Sequence, residues 1–146
     1  MYSSQSRTTE QGFSLIELLI VVFIIGVVAA IAVPNLVNSK QAAHGASAIS
    51  SLRVIHSAET AYRAAHSQFG SLSALASSGY LTDPQLVTGQ HSHYDFVIEP
   101  ATLSTSVFEV TATPSVAPWR YYYVDASGVI RSEYGSAASA ASEPIN

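Results

Sequence analysis

The chain has 146 residues, enough for one small domain and too few for two. Hydrophobic residues make up 48% and charged residues only 11%, less than half the charged share of an average soluble domain. Six basic against ten acidic residues give a net charge of −4, which argues against a nucleic-acid partner. The sequence contains no cysteine, which excludes disulfides, cysteine-ligated metal sites and a thiol nucleophile. The composition indicates a small membrane-anchored or secreted protein.

The apolar residues are concentrated in one segment near the N-terminus. After a polar start at residues 1–12, the 22 positions between Glu17 and Lys40 carry no charge. As a helix these positions span about 33 Å, close to the thickness of the hydrocarbon core of a bilayer. From residue 18 to 33 only Gly26 interrupts the apolar side chains, so no polar face remains for solvent. The pattern predicts a membrane segment.

Three interpretations of this segment compete. A cleaved secretory signal peptide fits the small residues Ala30 and Ala32, but the apolar stretch is long for one and Glu17 lies inside its start. A plain one-pass anchor leaves Glu17 unexplained, because an acidic residue well inside a membrane helix costs about 2.5–3.5 kcal/mol. In the third interpretation, a cut between Gly12 and Phe13 creates an α-amino group four residues before the carboxylate. The amine of one subunit could then neutralise Glu17 of its neighbour, and such a buried pair fixes the register of packing.

The residues behind the third interpretation resemble the type IV prepilin signature, which the pseudopilins of type II secretion share. The run Gly-Phe-Ser-Leu-Ile-Glu-Leu at 12–18 opens the apolar segment, and Pro34 lies where these proteins usually kink the long helix. The resemblance implies cleavage after Gly12 by a prepilin peptidase and N-methylation of Phe13. It further implies that Glu17 pairs with this amine during assembly. Pro34 is expected to bend or locally melt the helix, because it removes one helical hydrogen bond.

The same resemblance implies a structural filament subunit with no catalytic activity of its own. No catalytic residue, metal or cofactor is expected from the residues. The implied partners are other pilin subunits in a homo-oligomeric filament, the prepilin peptidase, an inner-membrane platform protein and a cytoplasmic assembly ATPase. The expected location is the bacterial inner membrane, crossed once with the C-terminal domain outside the cytoplasm, and then a periplasmic or cell-surface filament. Two alternatives stay open. One is a type II secretion pseudopilin, and the other is a secreted or anchored binding module with a conventional signal segment.

The remaining sequence predicts an α+β, pilin-like fold in which the long N-terminal helix packs on a small antiparallel β-sheet. The helix is predicted to run from about residue 14 to 66, to become amphipathic from residue 40 onward and to be ended by Gly70. Glu59 and Arg63 are expected to form an exposed pair one helical turn apart. The predicted buried stripe of the second half has spacings of three, four or seven: Ile49, Leu52, Ile55, Tyr62, Ala65 and Phe69.

Segments rich in β-branched and aromatic residues predict the strands, at residues 93–99, 106–113, 119–124 and 129–134. A short helical turn is expected at 71–78 and a hairpin turn at 125–128. The predicted organisation has four parts. They are a leader peptide at 1–12, a transmembrane and filament-core helix at 13–39, a globular domain at 40–134, and an Ala/Ser-rich tail at 135–146 that is flexible or only loosely docked.

Other candidate sites have weaker support. His91 and His93 could face one side of an extended segment, but no carboxylate motif accompanies them, so solvated loop histidines are the better interpretation. Asp125 with Ser127 suggests a calcium loop, yet the acidic ligands needed for six to eight oxygens are not clustered. The aromatic run 119–123 is interpreted as strand packing, with outward rings available to a neighbouring subunit or a ligand. Neither a P-loop nor a dinucleotide-binding motif is present.

Overall fold

The computed structural model describes residues 12–116 and 119–145. The predicted leader, except for Gly12, lies outside the described residues, as do Pro118 and Asn146. The described contacts divide the chain into two compact units, one ending at Ser39 and the other beginning at Lys40. The helices are α1 (Leu15–His66), α2 (Leu72–Ser77) and α3 (Pro84–Val87). The strands are β1 (Gln90–His91), β2 (Tyr94–Ile98), β3 (Glu109–Pro114), β4 (Arg120–Asp125), β5 (Arg131–Tyr134) and β6 (Glu143–Pro144).

The long helix has the predicted length but a different stop signal. At its start, the Ser14 carbonyl accepts hydrogen bonds from the N–H groups of Glu17, at 3.1 Å, and Leu18, at 3.2 Å. At its end, the chain leaves the helix at Ser67, whose φ of 60° is left-handed. The Ser67 N–H donates to the Arg63 carbonyl at 2.8 Å, which closes the last turn. The expectation that Gly70 ends the helix is therefore wrong, because the break comes three residues earlier.

The sheet is antiparallel throughout, with the strands side by side in chain order. Its inner face includes three residues that lie side by side across neighbouring strands. Phe96 pairs with Ala112 and Ala112 pairs with Tyr122, and all three are buried. This face packs against the second half of α1 in one hydrophobic core within the unit that begins at Lys40. The α+β fold predicted from the sequence is confirmed.

The buried stripe of α1 agrees with most of the prediction. Leu52, Ile55 and Tyr62 are buried, and Ile49 is partly buried against the core. Ala65 is exposed, which corrects the prediction at the last turn of the helix.

Glu59 departs most from the sequence-based expectation. Its side chain is 0% exposed, and its Oε2 accepts a hydrogen bond from the Gly70 N–H at 2.9 Å. The guanidinium of Arg63 instead lies 5.0 Å from the centre of the Phe69 ring. The predicted exposed Glu59–Arg63 pair is therefore wrong. Glu59 points into the core and holds the segment that follows α1.

Three short elements were not predicted: α3, β1 and β6. The last of these changes the description of the tail, because Glu143 and Pro144 pair with β5. The Ile145 N–H also donates to the Ile130 carbonyl at 2.9 Å. Residues 143–144 of the tail thus form a short edge strand of the sheet, which the composition of the tail did not predict.

Candidate processing and assembly segment

The bond between Gly12 and Phe13 lies immediately before the helix. A side chain added at Gly12 would meet no atom within 4 Å. Phe13 is 81% exposed, and both residues precede the first helical residue, Leu15. The backbone on both sides of this bond, at Gly12 and Phe13, is therefore not helical.

Glu17 is the single charged residue between Phe13 and Ser39. It lies in the first turn of α1 and is exposed. A negative charge is favourable there, because the unpaired N–H groups of a helix N-terminus carry partial positive charge. The arrangement leaves the carboxylate available to a positive group from outside this chain.

The first half of α1 presents apolar side chains on every side. Each residue from 12 to 40 is exposed, and the large apolar side chains from Phe13 to Val37 are between 44% and 82% exposed. Within the described part of the chain, α1 is the helix long and apolar enough to cross a membrane by length and composition. An apolar surface of this extent needs lipid or other apolar helices around it. A Cβ atom added at Gly26 would meet no described atom within 4 Å, which leaves room for a close approach by another helix.

Pro34 lies inside α1, and the helix is continuous on both sides of it. The local melting expected from the sequence is not seen in this structure. A bend at Pro34 stays a prediction.

The histidines predicted to be solvated are partly built into the domain. His91 Nδ1 lies 3.0 Å from Ser51 Oγ, a contact that joins β1 to α1. The ring of His93 packs edge-on against His44, which stacks on Trp119 at 5.4 Å between centroids. Among residues 12–116 and 119–145, no group of three or more His, Cys, Asp and Glu is placed to hold a metal ion.

The two remaining candidate groups have structural roles. Asp125 accepts a hydrogen bond from the Ser127 N–H at 2.8 Å, which forms the turn between β4 and β5. In the aromatic run, Tyr122 lies on the buried inner face, as alternation predicts. Tyr123 faces the other side but is only 3% exposed. Burial and the neighbouring carboxylate of Glu109 raise the pKa of Tyr123.

Comparisons with known proteins agree with the family resemblance of the N-terminal segment. Residues 7–33 match the family model described as the prokaryotic N-terminal methylation motif. Over 67 residues the chain is 34% identical to the type II secretion system core protein G of Pectobacterium carotovorum subsp. carotovorum, covering 46% of this chain and 43% of that protein. Over 63 residues it is 32% identical to the protein of the same name from Klebsiella michiganensis, covering 43% of this chain and 44% of that one. The chain thus spans less than half the length of each of these relatives.

These observations point to one class of protein. The methylation motif confirms the resemblance seen in the sequence, and the long helix packed on an antiparallel sheet confirms the pilin-like fold. Together with the two similarities, they support a pilin-like structural subunit. The apolar helix fits a membrane-anchored form of such a subunit with an outward domain. The similarity to secretion core proteins is compatible with a pilin and with a pseudopilin.

Proposed function

We propose that this chain is a precursor of a filament subunit, cut after Gly12, N-methylated at Phe13 and assembled through α1. The observation that carries the proposal is the single carboxylate of Glu17, at the start of an apolar helix that is exposed on all sides. Such a helix can be buried in lipid or among copies of itself. Filament assembly exchanges the first environment for the second.

Cleavage creates the positive charge that can pair with the carboxylate of Glu17. Hydrolysis of the Gly12–Phe13 amide adds water across the bond, leaving a carboxylate on Gly12 and a protonated amine on Phe13. Methylation of this amine keeps its positive charge. In a bundle of helices with little water, the amine of one subunit pairs with Glu17 of the next. A subunit in the wrong register leaves both charges unpaired, which is strongly unfavourable.

The partners and location follow from this mechanism and are part of the proposal. The chain requires a prepilin peptidase for the cut, and an inner-membrane platform protein with an assembly ATPase to lift α1 out of the bilayer. It is a single-pass inner-membrane protein before assembly, with the unit from Lys40 onward outside the cytoplasm. Its role is structural, and the proposal assigns it no catalysis.

A second candidate function is that of a type II secretion pseudopilin. It is favoured by one observation, namely that both relatives reported above are named as type II secretion core proteins. The two functions differ in what fails when the chain is removed. Loss of a pilin removes surface filaments, whereas loss of a pseudopilin leaves secreted enzymes in the periplasm.

The test is the intact mass and N-terminal sequence of the protein recovered from its own membrane. We expect a chain that begins at Phe13 and carries one extra methyl group. A chain that still begins at Met1 contradicts the proposal. A chain that begins at Val33 indicates a secreted module whose N-terminal segment only targeted it.

A substitution at the carboxylate tests the assembly step. With Glu17→Leu we expect normal cleavage, processed monomer left in the membrane and filament yield lowered about a hundredfold or more, because leaving one charge of a buried pair uncompensated costs about 3–5 kcal/mol. The matched control is Glu10→Leu, because this acidic residue leaves with the leader and should not affect filament yield. Normal filament yield with Glu17→Leu would count against charge pairing.

A further inference from the structure

A pocket of about 240 Å³ lies between α1 and the hairpin that joins β4 to β5. Its polar side chains come from the helix, and its apolar side chains are Val124 of β4 and Ile130, which immediately precedes β5. We call it the Arg53 pocket, and its lining residues are Arg53, His56, Ser57, Val124, Gly128 and Ile130.

Arg53 differs from the other arginines of its unit in having no partner. Arg63 lies over the Phe69 ring, Arg120 donates to Ser132 Oγ at 3.3 Å, and Arg131 donates to the Ser142 carbonyl at 3.0 Å. Among the described residues, Arg53 makes no hydrogen bond or ion pair and is exposed. Its guanidinium is therefore free to bind an anionic group from outside the chain.

The surroundings of the pocket favour a contact that excludes water. The backbone of Gly128 lies against His56, since a side chain at Gly128 would come within 3.0 Å of that ring. Two apolar side chains next to the lining residues in sequence are exposed, Val54 on the helix and Val129 on the hairpin. Covering these valines lowers the local dielectric, which strengthens an ion pair formed at Arg53.

We propose that the Arg53 pocket receives a carboxylate from a second copy of this chain, an inference that rests on the proposed filament assembly. Charge complementarity supports this occupant, because residues 41–146 carry four basic and eight acidic side chains. Three of those carboxylates make no hydrogen bond or ion pair with any described residue. They are Glu99, Glu133 and Glu143.

In the proposed filament this contact is heterologous, because a helical assembly sets one patch of each subunit against a different patch of the next. None of the three carboxylates lines the pocket, so the carboxylate that enters it comes from outside the pocket. A contact between two different patches leaves one of each patch free at the ends of the assembly. It therefore propagates into a ring or a filament instead of closing as a two-fold dimer.

Charge reversal and rescue in the full chain test the inference, in cells that assemble the wild-type chain into filaments. Arg53→Glu is expected to lower filament yield about tenfold, while Arg53→Gln gives a smaller loss. Arg63→Glu is the matched control on the same helix, and we expect yield near wild type because that guanidinium covers the chain's own Phe69. Combining Arg53→Glu with one of Glu99→Arg, Glu133→Arg or Glu143→Arg should restore filaments.

A second measurement leaves Arg53 unchanged and uses the absence of cysteine in the chain. Ser57→Cys is combined in turn with Glu99→Cys, Glu133→Cys or Glu143→Cys, and intact filaments are oxidised. One pair should give a ladder of cross-linked chains, which decides the question even if Arg53→Glu fails to accumulate.

Wild-type filament yield with Arg53→Glu overturns the inference, as does the absence of both a rescuing pair and a cross-linking pair. These results are distinct from failure of the proposed function. If wild-type cells make no filaments of any length, or the chain is not cut after Gly12, the proposed function itself is wrong.

Discussion

At the scale of single residues, Glu59 is a buried carboxyl group with incomplete hydrogen bonding. Its Oε2 accepts from the Gly70 N–H, but its Oε1 has no hydrogen-bond partner among the described residues. Burial raises the pKa of Glu59 from 4.5 to about 7, and the Gly70 hydrogen bond opposes this shift. The protonated form is thus the favoured form in the folded domain at mildly acidic pH.

We predict that the domain becomes less stable as pH rises from about 4.5 to about 7, and that Glu59 causes little further loss above neutrality. A folded-state pKa above the unfolded value contributes stability that is complete below pH 4.5 and lost as pH rises through about 7. Between pH 5 and pH 8 the loss should be about 2–3 kcal/mol in the free energy of unfolding. Denaturant titrations of the full chain in detergent, followed by the fluorescence of Trp119, measure it.

Glu59→Gln isolates this effect, because glutamine keeps the shape of the side chain and does not titrate. The variant should lose that part of the pH dependence, whereas Glu99→Gln, which changes an exposed carboxylate, should leave it intact. Equal pH dependence in wild type and Glu59→Gln would show that Glu59 is not responsible.

The burial of Glu59 could have been found from the sequence. It lies four residues after Ile55 and three before Tyr62, so helical spacing alone places it on the buried stripe. The pairing rule for residues one turn apart favoured Arg63 as a partner instead. The geometry decides otherwise, because the Gly70 N–H comes from outside the helix and a local rule cannot include it.

At the scale of elements, the hairpin between β4 and β5 depends on Gly128. Its φ of 76° is one that a residue with a side chain adopts at a cost, and an added Cβ would lie 3.0 Å from the His56 ring. Gly135 shares the φ of 76° but has open space around it. Comparing the same substitution at Gly128 and at Gly135 therefore separates the cost of backbone strain from the cost of steric contact.

We predict that Gly128→Ala lowers the free energy of unfolding by about 2 kcal/mol and Gly135→Ala by about 1 kcal/mol. The difference reports the contact with His56, and the shared part reports the strain of a positive φ. Both follow from denaturant midpoints measured as for Glu59. Equal losses would mean that the His56 ring moves aside freely.

Sequence patterns predicted the long elements and missed the short ones. The four central strands and α1 extend over enough residues for periodicity to show, and each was found within a few positions. The strands β1 and β6 have two residues each, too few for any period. At the end of α1 the left-handed residue is Ser67, so the glycine signal pointed to the wrong position.

At the scale of the whole molecule, the N-terminal motif could be predicted from sequence because its chemistry is local. Gly12, Phe13 and Glu17 lie within six residues, and the apolar run follows directly. The Arg53 pocket could not be predicted in this way. It joins α1 to a hairpin more than sixty residues later, and its free guanidinium is recognised only once the partners of the other arginines are known.

The division of the chain also leads to a prediction about folding. The hydrophobic core consists of residues from Ala48 to Ile130, with Ile145 packed against it, all within the unit that begins at Lys40. The exposed apolar residues of the other unit contribute nothing to this core. We therefore predict that residues 40–146 alone fold, dissolve without detergent and unfold in one cooperative transition. The denaturant midpoint of this fragment, read from the fluorescence of Trp119, should match that of the full chain in detergent. A fragment without a cooperative transition would show that the first half of α1 is needed to form the core.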